Sequence, residues 1–280
     1  MDEESFSVER LFTRADGAYV FARRGRPIVP VVFGVDDASL ALFKGAIEAV
    51  VGLASHHMAE TDPELGVNLM FFFCEDWDEL PEVPNLDQLV PDLVPLVAKL
   101  KQADANQYRI FRFDDAGAIR AAFVFLRMDE HLATVSADTL ALSQAVQTIL
   151  LWSGKAFDQQ PPLALVEGNA VLRPEIADVI RAAYDPIMPS AAQDASHALH
   201  MPSHIYLALG MWDKVISSNV NSYQDSLNRM ERKKLGNEAR GYHAYHWLEY
   251  GYLQSNELDK AKEMVMELEQ YVKETPSGRG

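Results

Sequence analysis

Five of the eight histidines in this 280-residue chain fall within one stretch of 50 residues: His197, His200, His204, His243 and His246. Imidazole binds first-row transition metals and changes charge near neutral pH, so this concentration is where chemistry is sought first. Residue type and spacing allow three readings. Imidazoles three or four apart on a helix, met by others from a neighbouring helix, supply the nitrogen ligands of Zn²⁺ or another transition metal; His197, His200, His243 and His246 are that set. All five can instead offer hydrogen-bond donors to an acidic or C-terminal carboxylate of a protein or peptide partner. In the third reading the histidines are buried and hydrogen-bond between helices. Pro202 lies between His200 and His204; it removes a backbone donor and predicts a bend that takes His204 out of line. Catalysis would need a nearby carboxylate as general base. Glu249 and Asp213 are the nearest in sequence and neither stands in register with the histidines, so binding is expected, no catalytic residue is assigned, and no cofactor beyond that metal is expected.

The rest of the chain offers less. It holds no Gly-rich phosphate loop, HExxH, GxSxG or paired-cysteine site. Glu75-Asp76-Trp77-Asp78-Glu79-Leu-Pro-Glu82 lacks the spacing and glycine of a calcium loop and reads as a solvated segment. His56-His57 reads as an exposed helix end. Cys74, the one cysteine, ends a phenylalanine run and reads as a core thiol.

The elements that must position the histidines come from periodicity. Ile216, Val220, Tyr223, Leu227 and Met230, then Leu258, Ala261, Val265, Leu268 and Val272, form apolar stripes at three- and four-residue steps. They predict two helices, each following a histidine-bearing one. Ahead of them, residues 6–35 alternate and predict an antiparallel strand pair. Asp36-Asp37 caps a helix through Ala54. Leu69–Cys74 predicts a buried central strand, 86–102 a helix interrupted near Pro91 and Pro95, 108–113 with 118–128 a hairpin, and 140–152 a helix. Together these predict an α+β domain over 1–190, mostly antiparallel with helices on one face. A connection at 191–196 and an all-α domain of two helical hairpins over 197–280 complete the expected plan.

Two resemblances attach to these segments. Ala208-Leu-Gly210-Met-Trp212-Asp-Lys-Val215 and Leu253-Gln-Ser-Asn256-Glu-Leu258-Asp-Lys-Ala261 share a spacing that resembles the tetratricopeptide repeat, with Tyr206 and Tyr252 also in step. The resemblance implies stacked helical hairpins whose first helices face a partner-binding groove. His197, His200 and His204 stand 13, 10 and 6 residues before Gly210, and His243 and His246 stand 13 and 10 before Asn256. That register pairs His197 with His243 and His200 with His246, Tyr250 answering His204. Two hairpins leave open helical ends, which suggests self-association or a partner chain. Gly25-Arg-Pro-Ile-Val-Pro-Val-Val, Asn68-Leu-Met-Phe-Phe-Phe, Leu142-Ser-Gln-Ala-Val-Gln and Ile180-Arg-Ala-Ala-Tyr-Asp-Pro resemble an uncharacterised proteobacterial domain family, which implies no activity.

Charge sharpens the division. The formal net charge is -16. Residues 1–196 hold 15 Lys+Arg against 30 Asp+Glu and carry -15, while 197–280 hold 10 against 11 and carry -1. Nucleic acid and an anionic membrane surface are disfavoured partners. The acidic opening residues and the lack of a long apolar run predict a cytoplasmic protein that does not span a membrane.

Overall fold

Leu69-Met-Phe-Phe-Phe-Cys74 is apolar at every position, and a strand without a polar face must be covered on both sides. The computed structural model, which describes residues 8–185 and 195–274, builds its sheet around this strand. In chain order the elements are α1 (Val8–Phe12), β1 (Pro30–Phe33), α2 (Asp37–Leu53), β2 (Leu69–Cys74), α3 (Leu86–Leu89), α4 (Leu93–Gln102), β3 (Gln107–Phe113) and β4 (Ile119–Arg127). Then come α5 (Ala137–Ile149), β5 (Leu163–Val166), β6 (Asn169–Leu172), α6 (Pro174–Ala183), α7 (Ala195–Ala208), α8 (Trp212–Lys233), α9 (Tyr242–Gln254) and α10 (Leu258–Glu274). The chain is thus mixed α/β with a helical C-terminal part. No helix among the described residues is long and apolar enough to cross a membrane.

The described chain forms two compact units. One contains residues 22–151 and 160–180; the other gathers 8–21, 152–159, 181–185 and 195–274. The expected connection at 191–196 lies largely outside the described residues. The division is also of another kind than a single break, because the chain passes between the units four times.

In the first unit the sheet order is β1-β2-β4-β3. β1 and β4 both pair parallel to β2, and only β3 runs antiparallel, beside β4. This corrects the expectation of a mostly antiparallel sheet. The 17-residue α2 carries the chain from β1 back to the start of β2, a crossover that makes neighbours parallel. Among the described residues of 6–35 there is no antiparallel strand pair: residues 8–12 are helical, bridges such as Thr13 to Tyr19 and Ile28 to Met58 are isolated, and β1 pairs parallel with β2.

Both faces are covered, another departure from the one-sided expectation. Phe71 and Phe73 meet Phe43 of α2, with ring centroids 5.5 and 5.2 Å apart. On the opposite face Phe72 stacks on Phe125 at 5.2 Å, and both pack with Trp77, Leu86, Leu93, Val97 and Leu100. Cys74 is buried in that second layer, and burial pushes its thiol up to about 12. Asp36 caps α2 by accepting from the Ser39 amide at 2.7 Å, and that backbone bond holds its carboxyl below the usual range.

In the second unit Phe12 of α1 packs against Phe21 and Trp152, each at 5.3 Å, while the Ser153 amide donates to Leu11 O at 2.7 Å. α7 packs on α8, α8 on α9, and α9 on α10. α8 turns the small polar side chains Ser218, Asn219, Ser222 and Ser226 inward, which lets its neighbours approach closely. The Ser218 hydroxyl donates to Leu199 O at 2.6 Å, and Ser226 Oγ accepts from the Gly241 amide at 3.0 Å. Gly251 faces Ile216, whose Cγ1 would stand 2.9 Å from a β-carbon added there. The turns after α7 and α9 use Gly210 (φ 69°) and Asn256 (φ 59°), both in the left-handed region.

Candidate functional site

His200 and His204 stand one turn apart on α7 and so share a face. Both are buried, at 1% and 5% exposure. Their Nε2 atoms lie 2.9 Å apart. Pro202 between them does not break the helix, which runs from Ala195 to Ala208. His204 therefore stays in line, contrary to the expected bend. Met201, Ser203, Ile205 and Tyr206 are all buried, so tertiary packing outweighs the lost amide donor.

α8 supplies the group that orients the pair. The Asn219 amide nitrogen donates to Val215 O at 2.8 Å, which turns its oxygen towards α7. That oxygen lies 2.6 Å from His200 Nδ1. An amide oxygen only accepts, so Nδ1 carries the hydrogen and Nε2 of neutral His200 presents its lone pair to His204, whose Nε2 carries the shared proton; hydrogens are assigned here from the bonding pattern. Ser203 Oγ, at 3.3 Å, also approaches His200 Nδ1.

α9 completes the group. The His243 ring lies 4.5 Å from that of His200 and 6.2 Å from that of His204. Trp247, one turn on, lies 4.3 Å from His204 and 5.2 Å from His200. One ligand atom from each of His200, His204 and His243 falls within 4.8 Å of the other two. No carboxylate or thiol among the described residues belongs to this group. His243 is exposed, so the group has a buried pair and a solvent-facing third member.

The observed set differs from the register expected from sequence. His243 stands beside His200 and His204, whereas equal offsets pair it with His197 and pair His200 with His246. The close approaches of Gly251 to Ile216 and of Gly241 to Ser226 fix where α9 lies on α8, and they set its register against α7. The His197 side chain lies outside the described residues. His246 is exposed, its Nδ1 3.8 Å from Glu249 Oε2. Tyr250 is exposed too, with its ring edge-on to Trp212 at 5.9 Å. Neither joins the cluster. Sequence reasoning missed Asn219 and Trp247. Asn219 carried no signal of its own, because Ser217, Ser218 and Asn219 are all polar between Ile216 and Val220.

The other unit holds a cavity of about 280 Å³ lined by Gly34, Asp36, Ser39, Phe43, Phe73 and Met128, at the carboxyl ends of β1, β2 and β4. Its carboxylate already serves as the cap of α2. The acidic run around Glu75 folds into a capped turn, with Glu79 accepting from the Asp76 amide at 2.7 Å. No protein-family model, no curated protein and no solved structure matches this chain.

Proposed function

We propose that the helical unit binds a divalent transition-metal ion through His200 Nε2, His204 Nε2 and His243. The convergence of these three imidazoles, two of them on adjacent turns of one helix, is the observation that carries the reading. Tetrahedral coordination at about 2.0–2.1 Å places ligand nitrogens roughly 3.3 Å apart, close to the spacing of the buried pair. Asn219 holds the Nδ1 hydrogen of His200, the kind of outer contact that fixes a ligand's tautomer. A donor set of uncharged nitrogens suits Zn²⁺, Cu²⁺ or Ni²⁺ and disfavours Mg²⁺ or Ca²⁺. Protein equilibrated with Zn²⁺ and freed of excess by gel filtration is expected to carry about one ion per chain. His204→Ala is expected to lose it and His246→Ala to keep it. Substoichiometric zinc in the wild type overturns the reading.

A second reading rests on the exposed face of α9, where His246, Tyr250 and Leu253 lie three or four residues apart. Left-handed turn residues at Gly210 and Asn256, and burial of Val215 and Ala261 at equal distances after them, support two tetratricopeptide-like hairpins. In that frame the stripe is a docking surface for a protein or peptide. His246→Ala combined with Tyr250→Ala would then release a partner without altering zinc content.

A further inference from the structure

We infer that metal binding and the seating of α9 on α8 form one coupled equilibrium, so that the ion acts as a clamp on the last helical hairpin; this rests on the metal reading above. The ligands come from two elements of unequal freedom. His200 and His204 are buried on α7, and Asn219, itself buried, anchors His200. Their Nε2 atoms are already at 2.9 Å and need little movement to share an ion, once His204 passes its hydrogen from Nε2 to Nδ1 and bares the ligating nitrogen. His243 is exposed on α9, and its ligand atom lies within 4.8 Å of theirs, so reaching about 3.3 Å asks for an inward movement of up to about 1.5 Å on the α9 side.

α9 meets α7 through rings. His243 lies 4.5 Å from His200, and Trp247 lies 5.2 Å from His200 and 4.3 Å from His204. The seat of α9 on α8 includes Gly251 against Ile216, the Gly241 amide on Ser226 Oγ, and Tyr245 against Tyr223 at 4.8 Å. α10 follows α9, because the Tyr245 hydroxyl donates to Met264 O at 2.9 Å and packs with Met264 and Leu268. A metal–nitrogen bond from His243 to an ion held by α7 ties this hairpin to α7. An open hairpin lacks the third ligand, so a bound ion lowers the population of the open state.

The test uses the whole chain, Zn²⁺ as probe, and hydrogen exchange of residues 242–254 read beside zinc affinity. Zn²⁺ is expected to slow exchange across α9 about tenfold or more in the wild type. With zinc saturating, Ser226→Ala is expected to slow by about the same factor as the wild type, and without zinc, lacking the bond to Gly241, it is expected to exchange faster. Gly251→Ala should do so more strongly, and Ser226→Ala remains as the test if it does not fold. Stoichiometric zinc with unchanged exchange in α9, in the wild type or in Ser226→Ala, overturns the clamp and leaves the metal site standing. Failure of the wild type to bind zinc removes both.

Discussion

Two side chains are informative beyond their own bonds. Asn219 contributes no ligand atom, yet its amide sets which nitrogen of His200 is bare. Asn219→Ala is expected to weaken zinc about 10–100-fold while leaving all three histidines in place, read by calorimetric titration. In the other unit Asp62 accepts from the amides of Glu64 and Leu65 at 2.8 and 3.0 Å and lies 3.4 Å from Arg26 Nη1. Those amide bonds, more than Arg26, hold its carboxyl below the ordinary range. A carboxyl lowered in the folded state stabilises above its unfolded pKa, about 3.9, and loses that contribution as pH falls through its folded value. Wild type should therefore melt above Asp62→Asn at pH 7, and the gap should close as pH drops below about 4. A gap independent of pH would mean that shape rather than charge is what matters at this position.

At the scale of elements, the turn after β2 shows how one residue holds a layer. Trp77 is 1% exposed, its indole N–H donates to Ala105 O at 2.9 Å, and it stands among Leu80, Leu86, Val97 and Leu100. Trp77→Ala is expected to cost about 3–5 kcal/mol in urea unfolding, the range for a large buried aromatic. A loss under 1 kcal/mol would show that α4 collapses into the space. The same layer shows what sequence could and could not tell. β2, α2 with its Asp36 cap, the β3–β4 hairpin and α5 were legible, since each carries its own period or cap. The unbroken apolar run of β2 also signalled a strand buried on both faces, the mark of a parallel sheet. Hairpin-like alternation in residues 6–35 pointed the other way and misled. β5, β6 and α6 were not anticipated at all. At the site, residue type drew attention to His200, His204 and His243 but not to which histidines meet, nor to Asn219 and Trp247 beside them. Equal offsets on two helices say nothing of how far one slides along the other, and here glycine contacts at 241 and 251 decide that.

For the whole molecule, composition marked a break near 191–196, and contacts trace a different one. The helical unit takes in Phe12, Phe21 and Trp152, from segments far upstream. A fragment of residues 195–280 lacks that cluster. It is expected to show no cooperative thermal transition by circular dichroism, or one well below that of the unit in the full chain. A fragment melting at the full chain's midpoint would make the upstream segments ornamental.

Four passages between units also set an order of events at the ribosome. At about 5–20 residues per second, residues 8–21 emerge roughly 9–37 s before the start of α7, the helix that shares their unit. Until then Phe12 and Phe21 have no helical bundle to join. Residues 22–151 can meanwhile close around β2 on their own, so the sheet matures first. The histidine-bearing unit assembles last, its earliest segment waiting longest for the helices it packs with.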